Sequence, residues 1–269
     1  MLATLRFGVR ELKPYINWLY FYHAWGVKGE GQKDLRHEAE ELLDDWSRSG
    51  VYVLFRFRLL KANANDDSIY FVDNKCANIY SINETVNTPF PPIPLLRQQK
   101  KPYLCLSDFL PPIGLKPATI GVFVSTMPFM ADDLLSLTLA DRLAEAAAEK
   151  GHEHARKFFW KYAQEEDLTP MELFSERYIG KRPAIGYPSL PDHSVNFILS
   201  TILDFSSLGI SLTENAAMIP HSTTSGLMIS HPECQHFSVG TIGEDQLLDY
   251  SKRRGIDSLI LRKYLDISS

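Results

Sequence analysis

Residues 51–60, V-Y-V-L-F-R-F-R-L-L, constrain this chain more than any other stretch. They are dense in β-branched and aromatic side chains. Arg56 and Arg58 alternate with Phe55, Phe57 and Leu59 at the two-residue period of a strand. A polar turn over residues 63–67 and a second β-rich run, residues 68–72, follow at once. Strand, polar turn, strand predicts a long antiparallel hairpin. Residues 119–126, 227–229 and 237–242 read as further strands.

Helical patterns surround these runs. Residues 34–49 set Leu42, Leu43 and Trp46 among polar neighbours and end at Ser49-Gly50. From residue 132 to about 164, Leu135, Leu139, Leu143 and Ala147 recur every four residues and define a buried stripe. Asp132 or Asp133 serves as its cap, and Gly151 is read as a break. Two short helices, 244–254 and 258–265, close the chain, with Gly255 at the C′ position of the first and Asp257 capping the second. Residues 88–94, T-P-F-P-P-I-P, are too rich in proline for either element and read as a loop. Neighbouring strands joined by turns, with helices between groups of strands, predict an α+β fold on an antiparallel sheet.

Composition narrows the function classes. A net charge of −5 without a basic stripe argues against a nucleic-acid partner. No run approaches the length of apolar residues that spans a bilayer, and the N-terminus carries no apolar core with a small-residue cleavage site. The cysteines, Cys76, Cys105 and Cys234, are odd in number and form no C-x-x-C pair, which favours a reducing, cytoplasmic setting. His231, Cys234 and His236 do not match an established zinc spacing, so no metal site is expected. Neither a phosphate-binding glycine loop nor a G-x-S-x-G elbow occurs.

One segment points to a ligand. Residues 182–188, R-P-A-I-G-Y-P, set an arginine, a glycine and a tyrosine among prolines that hold the backbone extended. Gly186 permits close backbone approach, and the Arg182 guanidinium can grip a carboxylate at two points. Asp141, Glu145 and Glu149 lie four apart on one helix face. Such a patch either faces solvent or meets a cation, since like charges at that spacing weaken a helix.

The ordered motifs G-x-x-L-T-E-x-x-A-M-x-P, S-G, H-P and D-Q-x-x-D-Y-x-x-R-x-G over residues 209–255 closely resemble the activation domain of cobalamin-dependent methionine synthases. R-P-A-x-G-Y-P is similar to that family's best-known motif. A-D-R-L-A-E-A at 140–146, L-R-Q-Q at 96–99 and P-Y-I-N-W at 14–18 extend the resemblance over nearly the whole chain, from about Tyr15 to Gly255. The resemblance implies one curved α+β domain over residues 1–269, a twisted antiparallel sheet flanked by helices. It implies S-adenosylmethionine as the ligand, with cobalamin presented by a partner methionine synthase chain and an electron supplied by a flavodoxin-like donor. It places Arg182 on the ligand carboxylate, the backbone of Ala184 to Gly186 under the adenosine, and Tyr187 beside the reacting methyl on the corrin side. Asp141 and Glu145 become carboxylates facing the ligand and the cobalt side, and Glu149 is left facing solvent. None of these side chains is expected to act as a nucleophile.

Two positions depart from the family pattern. Asn17 stands where the family usually has aspartate to hold the ligand amino group, and His236 precedes Phe237 where two aromatic residues are usual. Neither a cobalt-ligating D-x-H-x-x-G nor a cysteine cluster for zinc is present, so the chain resembles the activation module as a separate polypeptide. The reading is a subunit supporting reductive methylation in trans. The alternatives are a sensor of S-adenosylmethionine or a reactivase for another corrinoid methyltransferase.

Overall fold

The computed structural model describes residues 1–72, 90–128 and 133–265. The chain opens with strand β1 (Leu2–Gly8) and helices α1 (Val9–Leu12), α2 (Trp18–Trp25) and α3 (Gly31–Arg48). It continues through β2 (Tyr52–Asn65), β3 (Ser68–Val72), β4 (Ile93–Pro94), β5 (Ala118–Thr126) and the long helix α4 (Leu134–His154). Short helix α5 (Pro170–Phe174) and α6 (Val195–Leu203) precede β6 (Ser211–Leu212), β7 (Met218–Ile219) and β8 (Thr223–Ile229). Helices α7 (Glu244–Arg254) and α8 (Ser258–Tyr264) complete it. The fold is α+β, as expected, with every pair in the main sheet antiparallel.

The sheet order is β4-β3-β2-β5-β8. β2 is long enough to pair β1 along its first half and β3 along its second. The predicted hairpin is present but tighter: Asn65 pairs Ser68, leaving only Asp66 and Asp67 in the turn, both at positive φ. Two consecutive residues of that hand match the strand twist across a two-residue connection.

β2 sends Val53, Phe55 and Phe57 to one face and Ala62 and Ala64 to the other, so each face builds its own core. Helix α4 lies across β2, β5 and β8 on the first face, and α6 crosses the same three strands on the second. Arg56 and Arg58 reach the carbonyls at the end of α6: Arg56 Nη1 donates to Leu203 and Asp204 at 3.0 and 3.1 Å, and Arg58 Nη1 to Ile202 at 3.0 Å. These last-turn carbonyls lack helical donors and carry the negative end of the dipole, so the two arginines fasten α6 to the sheet.

Several expectations change. α3 and α7 keep close to their predicted bounds, and Gly255 and Asp257 cap as expected. The long helix starts at Leu134 with Asp133 as its cap; Asp132 lies outside the described residues, as does Cys76. It ends at His154 rather than near 164 and passes into a π-turn over Ala155–Phe159. Gly151 is no break: it sits within α4, pressed against the Phe55 ring, where any Cβ would collide. Within the proline-rich stretch 88–94, whose first two residues lie outside the described set, Ile93–Pro94 pairs with β3 at the sheet edge, where a missing N–H is tolerated. Residues 237–242 form no strand; they are irregular chain packed on α7 and α8 around Val239, Leu247 and Tyr250. Cys105 and Cys234 are free and buried, and burial pushes their thiols up to about 11 and about 12. Among the described residues no helix is long and apolar enough to cross a membrane.

Candidate functional site

Residues 181–185 extend the sheet. Lys181 and Ile229 exchange backbone hydrogen bonds at 2.8 and 2.9 Å, Leu227 N–H donates to Pro183 O at 2.9 Å, and Ile185 N–H to Ser225 O at 2.9 Å. The proline-rich motif is therefore an extra edge segment on β8, which explains its extended backbone. It then turns back: Gly186 N–H donates to Leu190 O, and Leu190 N–H to Tyr187 O. Gly186 has φ +85, and a Cβ there would stand 2.7 Å from the His193 ring, so two requirements exclude a side chain.

Other motifs buttress this turn. Asp192, buried, accepts from Ser194 N–H at 2.8 Å, Tyr250 OH at 2.7 Å and Arg254 Nε at 3.2 Å. Arg254 also donates to Ser194 Oγ. Val239 N–H bonds Pro188 O, and Gln98 Nε2 bonds Ser238 O at 2.8 Å. Arg97 holds Asp67 and Asp108 together behind Gln98. Tyr250 of the D-Y-x-x-R motif with the adjoining Arg254, and Gln98 of L-R-Q-Q, thus support the two loops that carry residues 187–189 and 236–238.

Between these loops, α4 and the start of α2 lies a cleft of about 550 Å³. That volume suits a small-molecule ligand. Asn17, Glu145, Arg182, Ala184, Tyr187, His236 and Phe237 all line it. Tyr15, Tyr20, Arg142, Leu173, Glu176 and Ser238 are among the further lining residues, and sequence reasoning missed them. Glu176 and His236 are 60 positions apart, and only the fold joins them, the imidazole Nε2 lying 3.0 Å from the carboxylate.

Asn17 is the N-cap of α2, its Oδ1 accepting from Leu19 N–H at 3.2 Å. One lone pair of Oδ1 serves the cap, leaving the second lone pair and the amide NH2 for other partners. Tyr187 stands at the mouth, half exposed, and the Glu145 carboxylate together with burial raises its phenol pKa. Asp141 is not in the lining: it accepts from Ser222 Oγ at 2.7 Å and meets His221 at 3.4 Å. Four residues of helix turn 40° too far, so three acidic residues at that spacing fan out, and Asp141 faces the β7–β8 connection.

Glu149 corrects the expectation of a solvent-facing carboxylate. It is buried and lies under Arg182, whose Nη2 donates to Oε2 at 3.2 Å. Burial raises its pKa against the pull of Arg182 and Arg156. Arg182 is itself sunk in the floor, its guanidinium 5.3 Å from the Phe123 ring centroid. Beneath them Arg156, fully buried, makes a two-oxygen fork with Glu166 at 2.6–3.0 Å and stacks on Tyr178. His152, wholly enclosed, is held neutral by burial and the neighbouring cations.

An α+β scaffold whose acidic and basic groups converge on a nucleoside-sized cleft defines a small-ligand-binding domain. The chain matches the model of the vitamin B12-dependent methionine synthase activation domain over residues 8–255, and it belongs to that family. It is similar to a crystal structure of the MetH reactivation domain bound to AdoHcy: 30% identity, TM-score 0.87, covering 99% of this chain and 89% of that one.

Proposed function

We propose that this protein binds S-adenosylmethionine in the cleft and serves reductive methylation of cobalamin held in trans by a methionine synthase chain, with a flavodoxin-like protein as the electron donor. The observation that carries the reading is the convergence of side chains from positions 17 to 237 on one cleft, in a family with a member solved bound to AdoHcy. The ligand's methyl sulfonium supplies the methyl group. The chain's own residues bind and orient it. Arg182 receives the carboxylate, Glu145 offers negative charge to the ammonium and sulfonium, and the 184–186 backbone with His236 and Phe237 seats the adenosine. Tyr187, at the mouth, meets the corrin side; Asp141, one turn before Glu145, takes no part in the cleft and packs against the β7–β8 connection. Nothing in this arrangement requires a nucleophile or general base, so the contribution is proximity and orientation.

The test mixes this protein with a cobalamin-loaded methionine synthase lacking the module, a reductant and S-adenosylmethionine. The visible spectrum is expected to report methylated cobalamin. Tyr187→Ala is expected to slow that step more than it weakens ligand binding. Ligand binding without methylation across corrinoid partners identifies a sensor instead. That second reading draws on Asn17, an uncharged residue whose Oδ1 already accepts one bond from the helix.

A further inference from the structure

We propose that Glu149 is a built-in stand-in for the ligand carboxylate: it neutralises Arg182 until a ligand arrives, and takes up a proton at Oε1 when the ligand carboxylate joins the guanidinium. The inference rests on the ligand reading above. Arg182 and Glu149 both line the cleft, and both side chains are 12% exposed. Their contact is a single hydrogen bond, not a fork. Glu149 Oε1 and Arg182 Nε are buried with no hydrogen-bond partner among the described residues. The pair is thus incomplete on both sides, whereas in the nearby Arg156–Glu166 pair both carboxylate oxygens are engaged and only Arg156 Nη1 lacks a partner among the described residues.

The surrounding charges decide what a second anion does. Arg156, behind Glu149, directs its Nε and Nη2 to Glu166, while its charge still acts on Glu149. Glu176 is claimed by His236 at 3.0 Å and Lys181 at 3.5 Å. Tyr178 and Tyr15 are phenols whose pKa values are pushed up, mainly by burial, so both are neutral. His152 is neutral for the reason given above. Glu145 adds further negative charge on the open side of Arg182. Arg142 also lines the cleft, but among the described residues Arg182 is the cation hydrogen-bonded to Glu149, so it would serve two carboxylates in a poorly solvated floor. A like charge beside a buried carboxylate favours its protonated form, and burial already pushes Glu149 that way. The proton comes from solvent and is returned when the ligand leaves; no bond other than O–H is made or broken.

Calorimetric titration with S-adenosylhomocysteine at mildly acid pH, in two buffers of different ionisation enthalpy, counts the proton. Wild-type protein is expected to show net uptake of up to one proton per ligand. Its Kd is expected to rise with pH by at most about tenfold per unit, the limit for one linked proton. Glu149→Gln is expected to lose both the uptake and its share of the pH dependence. A protonated-carboxyl band on ligand addition in the wild-type infrared difference spectrum checks the same event without a variant. Binding with no proton uptake overturns the proposal. Equal uptake by Glu149→Gln also overturns it and places the proton on a group other than Glu149. No binding by the wild-type protein overturns the ligand reading, and this inference with it.

Discussion

Gly226→Ala tests how the fold builds the site. Gly226 sits in β8 opposite Ala184, and its φ is not of the left-handed kind, so an alanine there meets no backbone strain of its own. The whole cost is contact. The added Cβ would press on Pro183 O and stand 2.8 Å from Ala184 Cα and 2.9 Å from the Phe123 ring. Two of these three neighbours are backbone and cannot rotate away. Relief comes by lifting residues 182–185 off β8, which breaks Leu227 N–H to Pro183 O and Ile185 N–H to Ser225 O. Each lost bond costs about 1 kcal/mol. The residual overpacking against Phe123 costs about 1–3 kcal/mol. The sum is about 3–5 kcal/mol, and for a chain of this size each kcal/mol lowers Tm by about 2–4 °C, so a fall of about 10 °C is expected. Arg182 and Ala184 ride on the displaced segment, so affinity for S-adenosylhomocysteine is expected to drop more than about tenfold in the same preparation. Scanning calorimetry measures the first effect and isothermal titration the second. A variant that melts with wild-type protein and binds equally well would refute the close docking of the R-P-A-I-G-Y-P segment on β8.

Two further substitutions address the cleft directly. Arg182→Ala is expected to weaken S-adenosylmethionine binding by more than about tenfold, since truncating one side of a buried charge pair costs about 2–5 kcal/mol; equal affinities by calorimetric titration would remove Arg182 from the carboxylate. Asn17→Asp keeps a cap for α2, because either residue accepts from the N2 amide, and adds a charge that favours both the helix N-terminus and a ligand ammonium. Tighter binding in the titration is the expected result. Unchanged or weaker binding means that another group, Glu145 being nearest in chemistry, already holds the amino group.

Much of the fold was legible because local periodicity reports it. The alternation around Phe55 and Phe57, the four-residue recurrence of Leu139, Leu143 and Ala147, and the caps at Asp133, Gly255 and Asp257 each follow from the geometry of one element and its ends. Residues 237–242 misled because apolar residues bounded by glycine look alike whether they pair in a sheet or fill a gap beneath two helices; here Val239 fills the gap. Gly151 misled because a missing side chain reads as a break, although here it admits the Phe55 ring.

The site divides the same way. The sequence named residues with suitable chemistry: a guanidinium at the head of a proline-rich run, carboxylates on α4 and, through the family resemblance, His236 and Phe237. It could not say which carboxylate faces what. Asp141, Glu145 and Glu149 share one spacing, but tertiary packing turned the first toward Ser222, the second to the cleft and the third under Arg182. A helix pattern states which residues share a face; it does not state what covers that face, and the covering groups come from chain 33–81 residues away. The same holds for the docking of residues 181–185 on β8 and for the support of Pro188 and Ser238 by Val239 and Gln98. Those contacts join segments distant in the chain, so tertiary structure decided the electrostatics of the cleft floor.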